Sequence, residues 1–303
     1  MLRIGLLGSD NSHADRFAEI LNRPDHPAYL PDADARIVAI WGQEAERTRQ
    51  VAATNAIPTI VAHPAQLAGQ VDAVICVTRH GGLHRELVVP YLTAGVPTFI
   101  DKPLAVAPED ARAIVAAAQA AGTPFSSFST VRYAASMQEF ARAAAAVDVR
   151  VGVYSGPATR RNPYGGVIFD AIHSIEMMLM LQGTGVRAVS ALEGPPVDEQ
   201  GNGNLSATCT YADGALGMLS LTVDAQYGFT ATVLGRAGVA HRALDISDCY
   251  RAGMKRVLAC LRGDTTSPAR PDVTPAAMIE AVQIATAMER SLDSGRAVTL
   301  EEV

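Results

Sequence analysis

The sequence predicts an α/β protein of two domains. Residues 1–123 read as a doubly wound parallel sheet, and residues 124–303 as an α+β domain with a mainly antiparallel sheet. Two observations carry this. Strand-like and helix-like runs alternate through the first domain, the rhythm of successive βαβ units. Beyond residue 124 the rhythm changes to strand-like runs in series between a few apolar helices. A chain of 303 residues is long enough for two cores.

Taken in order, "RIGLL" is a strand, and the helix after it runs to about Asn22. "ARIVAIW" (35–41) is a second strand, followed by a helix over "EAERTRQVAAT". "VDAVICV" (71–77) is apolar at every position but Asp72, as a strand buried on both faces should be. "LHRELVVPYLTAG" is a helix closed by Gly95, and "VPTFI" is the next strand. "PEDARAIVAAAQAAG" opens with Pro and two acids and stops at Gly122, matching helix start and stop signals. In the second domain "DVRVGVY" is a strand, and the loop "SGPATRRNPYGG" leads into the helix "VIFDAIHSIEMMLML". Strands are expected at 186–193, 204–212, 215–223 and 229–235, with an Asp-Gly hairpin turn in "YADGAL". Helices at 249–262 and 275–294 close the chain, separated by the Pro-rich loop "GDTTSPARPDVTP".

Composition narrows the function classes. A net charge of −6 argues against nucleic-acid or anionic-membrane partners. No apolar run reaches the ~18 residues of a membrane span, and "LRIGLL" is too short for a signal peptide. The four cysteines show neither metal-ligand spacing nor a disulfide framework, so a reducing cytoplasm is the expected location. Of 25 basic residues only Lys102 and Lys255 are lysines. In that background a retained lysine is a candidate for a compact amine of tunable pKa.

Three stretches carry possible chemistry. The first, "GLLGSDNSHA" (5–14), lies between a strand and a helix, where a dinucleotide-binding loop would stand. Only Gly8 of three expected small residues is in place; Asp10 and His13 occupy the other two positions. A carboxylate near a pyrophosphate is unfavourable unless it turns away. Asp10, Asn11 or Ser12 can instead cap the helix, whose first N–H groups would still attract an anion. Ser9, Ser12 and His13 would add donors.

The second stretch, "FIDKPLA" (99–105), puts Asp101 and Lys102 at the end of a strand, the ligand side of such a sheet. A buried Lys102 could move a hydroxyl proton; a solvated loop lysine is the plain alternative. The third, "YGGVIFDAIHSIE", spaces Asp170, His173 and Glu176 three apart on a helix, so Asp170 could orient His173. A shared metal is the rival reading, ranked low for want of a further ligand cluster, and no metal is expected. An acid on the helix dipole with a partly exposed histidine is the plainest reading.

Together these stretches, in order, with "VDAVICVTRHGGLHRELVVPYLTAGVPTFIDKPLA" and the terminal "RSLDSGRAVTL", resemble the Gfo/Idh/MocA family of NAD(P)-dependent sugar and cyclitol oxidoreductases. The resemblance spans nearly the whole chain and implies a Rossmann-like first domain. It also implies hydride transfer between NAD or NADP and a hydroxyl carbon, with Lys102 and His173 catalytic and Asp170 as the histidine's partner. Gly8, Ser9, Asp10, Asn11, Ser12, His13, Thr78, His84, Asp101, Lys102 and Arg132 are the implied cofactor-binding residues. A homodimer or homotetramer acting on a small polyol is the implied assembly.

The sequence departs from the family pattern at several points. Asp101 stands where Glu is usual, and Asp170 and His173 are three apart rather than four. Gly42 replaces the acid that would bind the adenosine ribose, so NAD and NADP are not distinguished. Asp10 with Gly42 motivates the alternative function, a non-catalytic binding or regulatory protein on the same scaffold. A redox-assisted elimination would use the same residues as simple dehydrogenation. Arg47, facing a 2′-phosphate, and Arg160 and Arg161, facing an acidic substrate, are each more simply surface cations.

Overall fold

Six short strands joined by crossovers build the first sheet of the computed structural model, which describes residues 1–264 and 273–303. They are β1 (Leu2–Leu7), β2 (Ala35–Trp41), β3 (Thr59–Ile60), β4 (Ala73–Cys76), β5 (Thr98–Asp101) and β6 (Phe125–Phe128). Their order is β3-β2-β1-β4-β5-β6 and every pairing is parallel. β4 and β5 are buried at all four of their positions, as the apolar run through residues 71–77 predicts. The order reverses between β1 and β4, and sheets of this kind bind ligands outside the strand carboxyl ends at that point.

Between and after these strands come α1 (Ser12–Asn22), α2 (Ala45–Thr54), α3 (His84–Thr93), α4 (Pro108–Ala121) and α5 (Ala135–Ala144). Of the three candidate caps for α1, Asn11 is the one used: its side chain accepts from the His13 N–H.

The second sheet holds β7 (Val149–Pro157), β8 (Val186–Pro196), β9 (Gly203–Tyr211), β10 (Leu216–Thr222), β11 (Phe229–Gly235), β12 (Gly238–Leu244) and β13 (Val298–Thr299). Its order is β12-β11-β7-β10-β9-β8-β13, antiparallel except between β7 and β10. α6 (Ile168–Gln182) and α8 (Pro275–Ser294) pack on one face. Burial therefore alternates along β9, β10 and β11, and the other face leaves Leu192, Met218 and Leu234 exposed. The predicted Asp-Gly turn joins β9 to β10, with Gly214 at φ +82°. β3, β6, α5, β12 and β13 are additions to the elements read from sequence. β12 returns from β11 through Arg236 and Ala237, bounded by paired Gly235 and Gly238.

α7 (Cys249–Leu261) completes the described helices. The Pro-rich loop predicted before α8 lies mostly outside the described residues. Contacts divide the chain into one unit of Met1–Ala105, Glu109–Thr130 and Tyr250–Thr274, and another of Val106–Pro108, Val131–Cys249 and Pro275–Val303. The expected division at 123/124 falls ahead of β6, which pairs with β5 in the first sheet, and most of α7 returns to the first unit. Among the described residues no helix is long and apolar enough to cross a membrane.

Candidate active site

The loop after β1 is shaped by one close approach. Gly8 has φ +104°, and a Cβ on it would lie 2.6 Å from the Thr78 backbone nitrogen, so only glycine fits there. Ser9 is fully buried and its hydroxyl lies 2.9 Å from Thr48 Oγ1. Thr48 donates to the Glu44 carbonyl, which leaves Ser9 as the donor to Thr48. Asp10 turns its carboxylate toward the Arg79 backbone N–H, 3.3 Å from each oxygen. Ser12 is exposed at the start of α1. His13 faces inward: Nδ1 lies 2.5 Å from Asp101 Oδ2, and Nε2 lies 2.9 Å from the Tyr250 hydroxyl on α7.

Asp101 and Lys102 stand at the carboxyl end of β5, both buried, and the Lys102–Pro103 peptide is cis. Burial pushes the Asp101 carboxyl up, but the His13 imidazole and Lys102 outweigh it and hold the group below the usual carboxylate range. Asp101 Oδ1 is buried without a hydrogen-bond partner among the described residues. Thr78, 1% exposed, follows β4. His84 is fully buried at the start of α3, its ring nitrogens 3.2 Å from the carbonyls of Leu104 and Thr78. Its pKa is lowered because burial penalises the charged ring.

In the second unit, α6 starts without a side-chain cap of its own. Glu289 of α8 accepts the Val167 N–H at 2.8 Å, and Asp170 adds an acid to the first turn. Asp170 is half-buried, whereas His173 is buried and meets Phe229 edge-on, with ring centroids 5.4 Å apart. Tyr227 packs edge-on against Phe229 in turn. Buried Arg132 donates to the Glu176 carbonyl at 3.0 Å and lies 4.0 Å from its carboxylate.

Residues 2–128 match the Gfo/Idh/MocA oxidoreductase family with its NAD-binding Rossmann fold, and residues 140–241 match that family's C-terminal domain. The chain belongs to this family. Among solved structures, a protein from Thermotoga maritima is similar over 100% of both chains, with TM-score 0.84 and 22% identity. A myo-inositol 2-dehydrogenase from Lactobacillus plantarum gives 0.81 and 15% over 98% of this chain and 99% of that one. An oxidoreductase from Agrobacterium radiobacter, in complex with NAD+, L-tartaric acid and magnesium, gives 0.78 and 19% over 99% and 98%. No curated protein matches the chain.

The Gfo/Idh/MocA first domain binds NAD or NADP, and the residues here fit such a group. The Gly8 turn leads into the N-terminus of α1, and a buried carboxylate oxygen at the end of β5 has no donor among the described residues. Several of the side chains expected at the cofactor have partners of their own within the protein. Ser9 and His13, expected to donate to phosphate, spend their side-chain polar atoms inside the protein. His84 is too deeply buried to touch a ligand and braces the segments after β4 and β5 instead. Arg132 is engaged by α6.

The position where the resemblance expects the ribose acid is closely packed. A Cβ on Gly42 would lie 2.1 Å from Ser9 Oγ and 2.4 Å from Thr48 Oγ1, so a side chain there collides with the buried hydroxyl pair. Arg47 is ion-paired with Asp15. Arg160 and Arg161 are held by Glu193, Glu289 and Asp293, the structural role expected of them. Sequence reasoning missed Tyr250 and Phe229. No local motif marks either one, and only tertiary contact brings them to His13 and His173.

Proposed function

We propose that this protein is an NAD(P)-dependent dehydrogenase that moves a hydride between the nicotinamide and a hydroxyl-bearing carbon of a sugar, cyclitol or related polyol. Lys102 carries the reading. It is one of two lysines, 6% exposed, directly after an ionised aspartate at the ligand end of a Rossmann strand. Burial and a neighbouring carboxylate are the means by which a lysine amine is tuned to take and return a hydroxyl proton. His173, with Asp170 one helical turn earlier, is assigned the second proton-handling role that the family likeness gives it. The start of α1, through Ser12 and the loop amides, would hold the phosphates, with Thr78 and Asp101 lining the same strand ends. The nicotinamide, when bound, supplies the hydride chemistry. The polyol class has support from the myo-inositol 2-dehydrogenase among the similar structures. A homo-oligomer is part of the same proposal.

A non-catalytic binding protein is the second reading, favoured by Asp10 and by the inward-turned Ser9. Calorimetric titration with NADH and NADPH separates the two. Micromolar binding of either nucleotide supports the enzyme, and a screen of cyclitols and sugars for hydride transfer follows. On an identified substrate, Lys102→Ala should lower kcat by roughly 10²–10⁴-fold while its unfolding midpoint stays native. Folded protein that ignores both nucleotides at millimolar concentration would overturn the dehydrogenase reading, as would native turnover in Lys102→Ala.

A further inference from the structure

At the position where a dinucleotide loop carries its third glycine, this chain has an imidazole, and that imidazole joins three elements. His13 comes from the first turn of α1, Asp101 ends β5, and Tyr250 lies in the first turn of α7. The carboxylate can only accept, so Nδ1 carries the proton toward Oδ2, while Nε2 and the Tyr250 hydroxyl, 2.9 Å apart, share a second hydrogen bond. Ring orientation is held by packing as well as by hydrogen bonds. Tyr250 meets His13 edge-on at 5.1 Å and Phe17 lies 5.9 Å from it. The Asn11 amide, at 3.5 Å, also approaches Oδ2.

The His13 and Asn11 hydrogen bonds both fall on Oδ2. Oδ1 is buried, belongs to an ionised group and has no hydrogen-bond partner among the described residues. A buried anion kept only for stability would be poorly arranged this way, because apolar packing would serve better and an unsatisfied oxygen is unfavourable. At the ligand edge of a nucleotide-binding sheet, the same oxygen is an acceptor waiting for a donor.

We infer that His13 and Tyr250 are positioning residues for the cofactor: held between the phenol and Oδ2, the imidazole fixes the Asp101 carboxylate so that Oδ1 accepts from a hydroxyl or amide N–H of a bound nicotinamide nucleotide. This rests on the NAD(P) reading above. The histidine restores by side-chain bonding the order that a loop with three glycines would obtain from close backbone packing.

Calorimetry on the full chain tests it, using whichever of NADH and NADPH the native protein binds. Loss of one hydrogen bond to a charged acceptor should weaken binding roughly tenfold in Asp101→Asn, and several-fold in Tyr250→Phe. The double variant should bind no more weakly than Asp101→Asn alone, because the phenol acts through the carboxylate. A purely structural role would lower the urea midpoint but leave these affinities uncoupled. His13→Gln, which keeps a donor for Oδ2, should retain more affinity than His13→Ala. Native affinity in Tyr250→Phe, or losses that multiply in the double variant, would overturn the inference and leave the dehydrogenase reading standing. Failure of the native protein to bind either nucleotide would remove both.

Discussion

His13 and His84 are both buried histidines beside the carboxyl edge of the parallel sheet, one in the segment after β1 and the other in that after β4. Their partners differ in kind. His84 lies between two backbone carbonyls, which never change charge, and burial lowers its pKa. His13 lies between a carboxylate and a phenol, and the carboxylate is followed by Lys102. The first arrangement ties loops together; the second connects to groups that can exchange protons or bind a ligand. A buried histidine is thus informative only once its partners are known.

The largest expected effect strikes both segments at once. Gly8→Ala forces a Cβ to within 2.6 Å of the Thr78 backbone nitrogen at a φ of +104°, and should cost about 3 kcal/mol in urea unfolding. A stability within error of native would show that the two segments move apart freely.

His84→Ala comes next. It leaves the Thr78 and Leu104 carbonyls without the ring between them and should cost about 2 kcal/mol. Nucleotide affinity per folded molecule should hold, in contrast to His13→Ala. Equal loss of affinity in the two variants would erase the distinction between brace and positioning residue.

The same residue sets a pH dependence. The folded pKa of His84 lies below its ordinary value of 6.5, so below 6.5 the unfolded chain binds a proton that the folded protein refuses. Stability carried by the neutral ring is complete above that value. It declines as pH falls from 6.5 toward the lowered folded pKa. Unfolding midpoints measured between pH 7.5 and 5, roughly spanning the histidine range, should flatten in His84→Ala relative to the native protein. An unchanged slope would mean that other groups dominate.

The smallest effect belongs to Gly42→Ala. Its Cβ would meet Ser9 Oγ and Thr48 Oγ1, and displacing one hydroxyl should cost about 1 kcal/mol. A neutral result would show that the serine rotates away easily and that an acid at this position is not sterically barred.

How much of this was legible depended on whether the signal was local. α1, β2, α4 and α6 follow from caps, periodicity and breakers within their own residues, and the structure places them within a residue or two of expectation. β6 and β12 were passed over because each is mixed in polarity, and its strand character comes from the neighbour it pairs with. The place of Asp101 and Lys102 at the end of β5 was legible because the apolar run before them announces a strand. Asp10 was legible as a problem, and its solution, the Arg79 amide, lies 69 residues away.

By itself, therefore, the sequence determined the doubly wound first domain, the mainly antiparallel second sheet and the family. These rest on near-neighbour patterns and on motif order, which the linear chain carries. Only the tertiary structure decided which polar groups spend their hydrogen bonds inside the protein. Ser9, His13 and His84 look equally available in the sequence. Their partners Thr48, Tyr250 and Leu104 stand 39, 237 and 20 residues away, and a hydrogen bond needs atoms about 3 Å apart, which only folding provides.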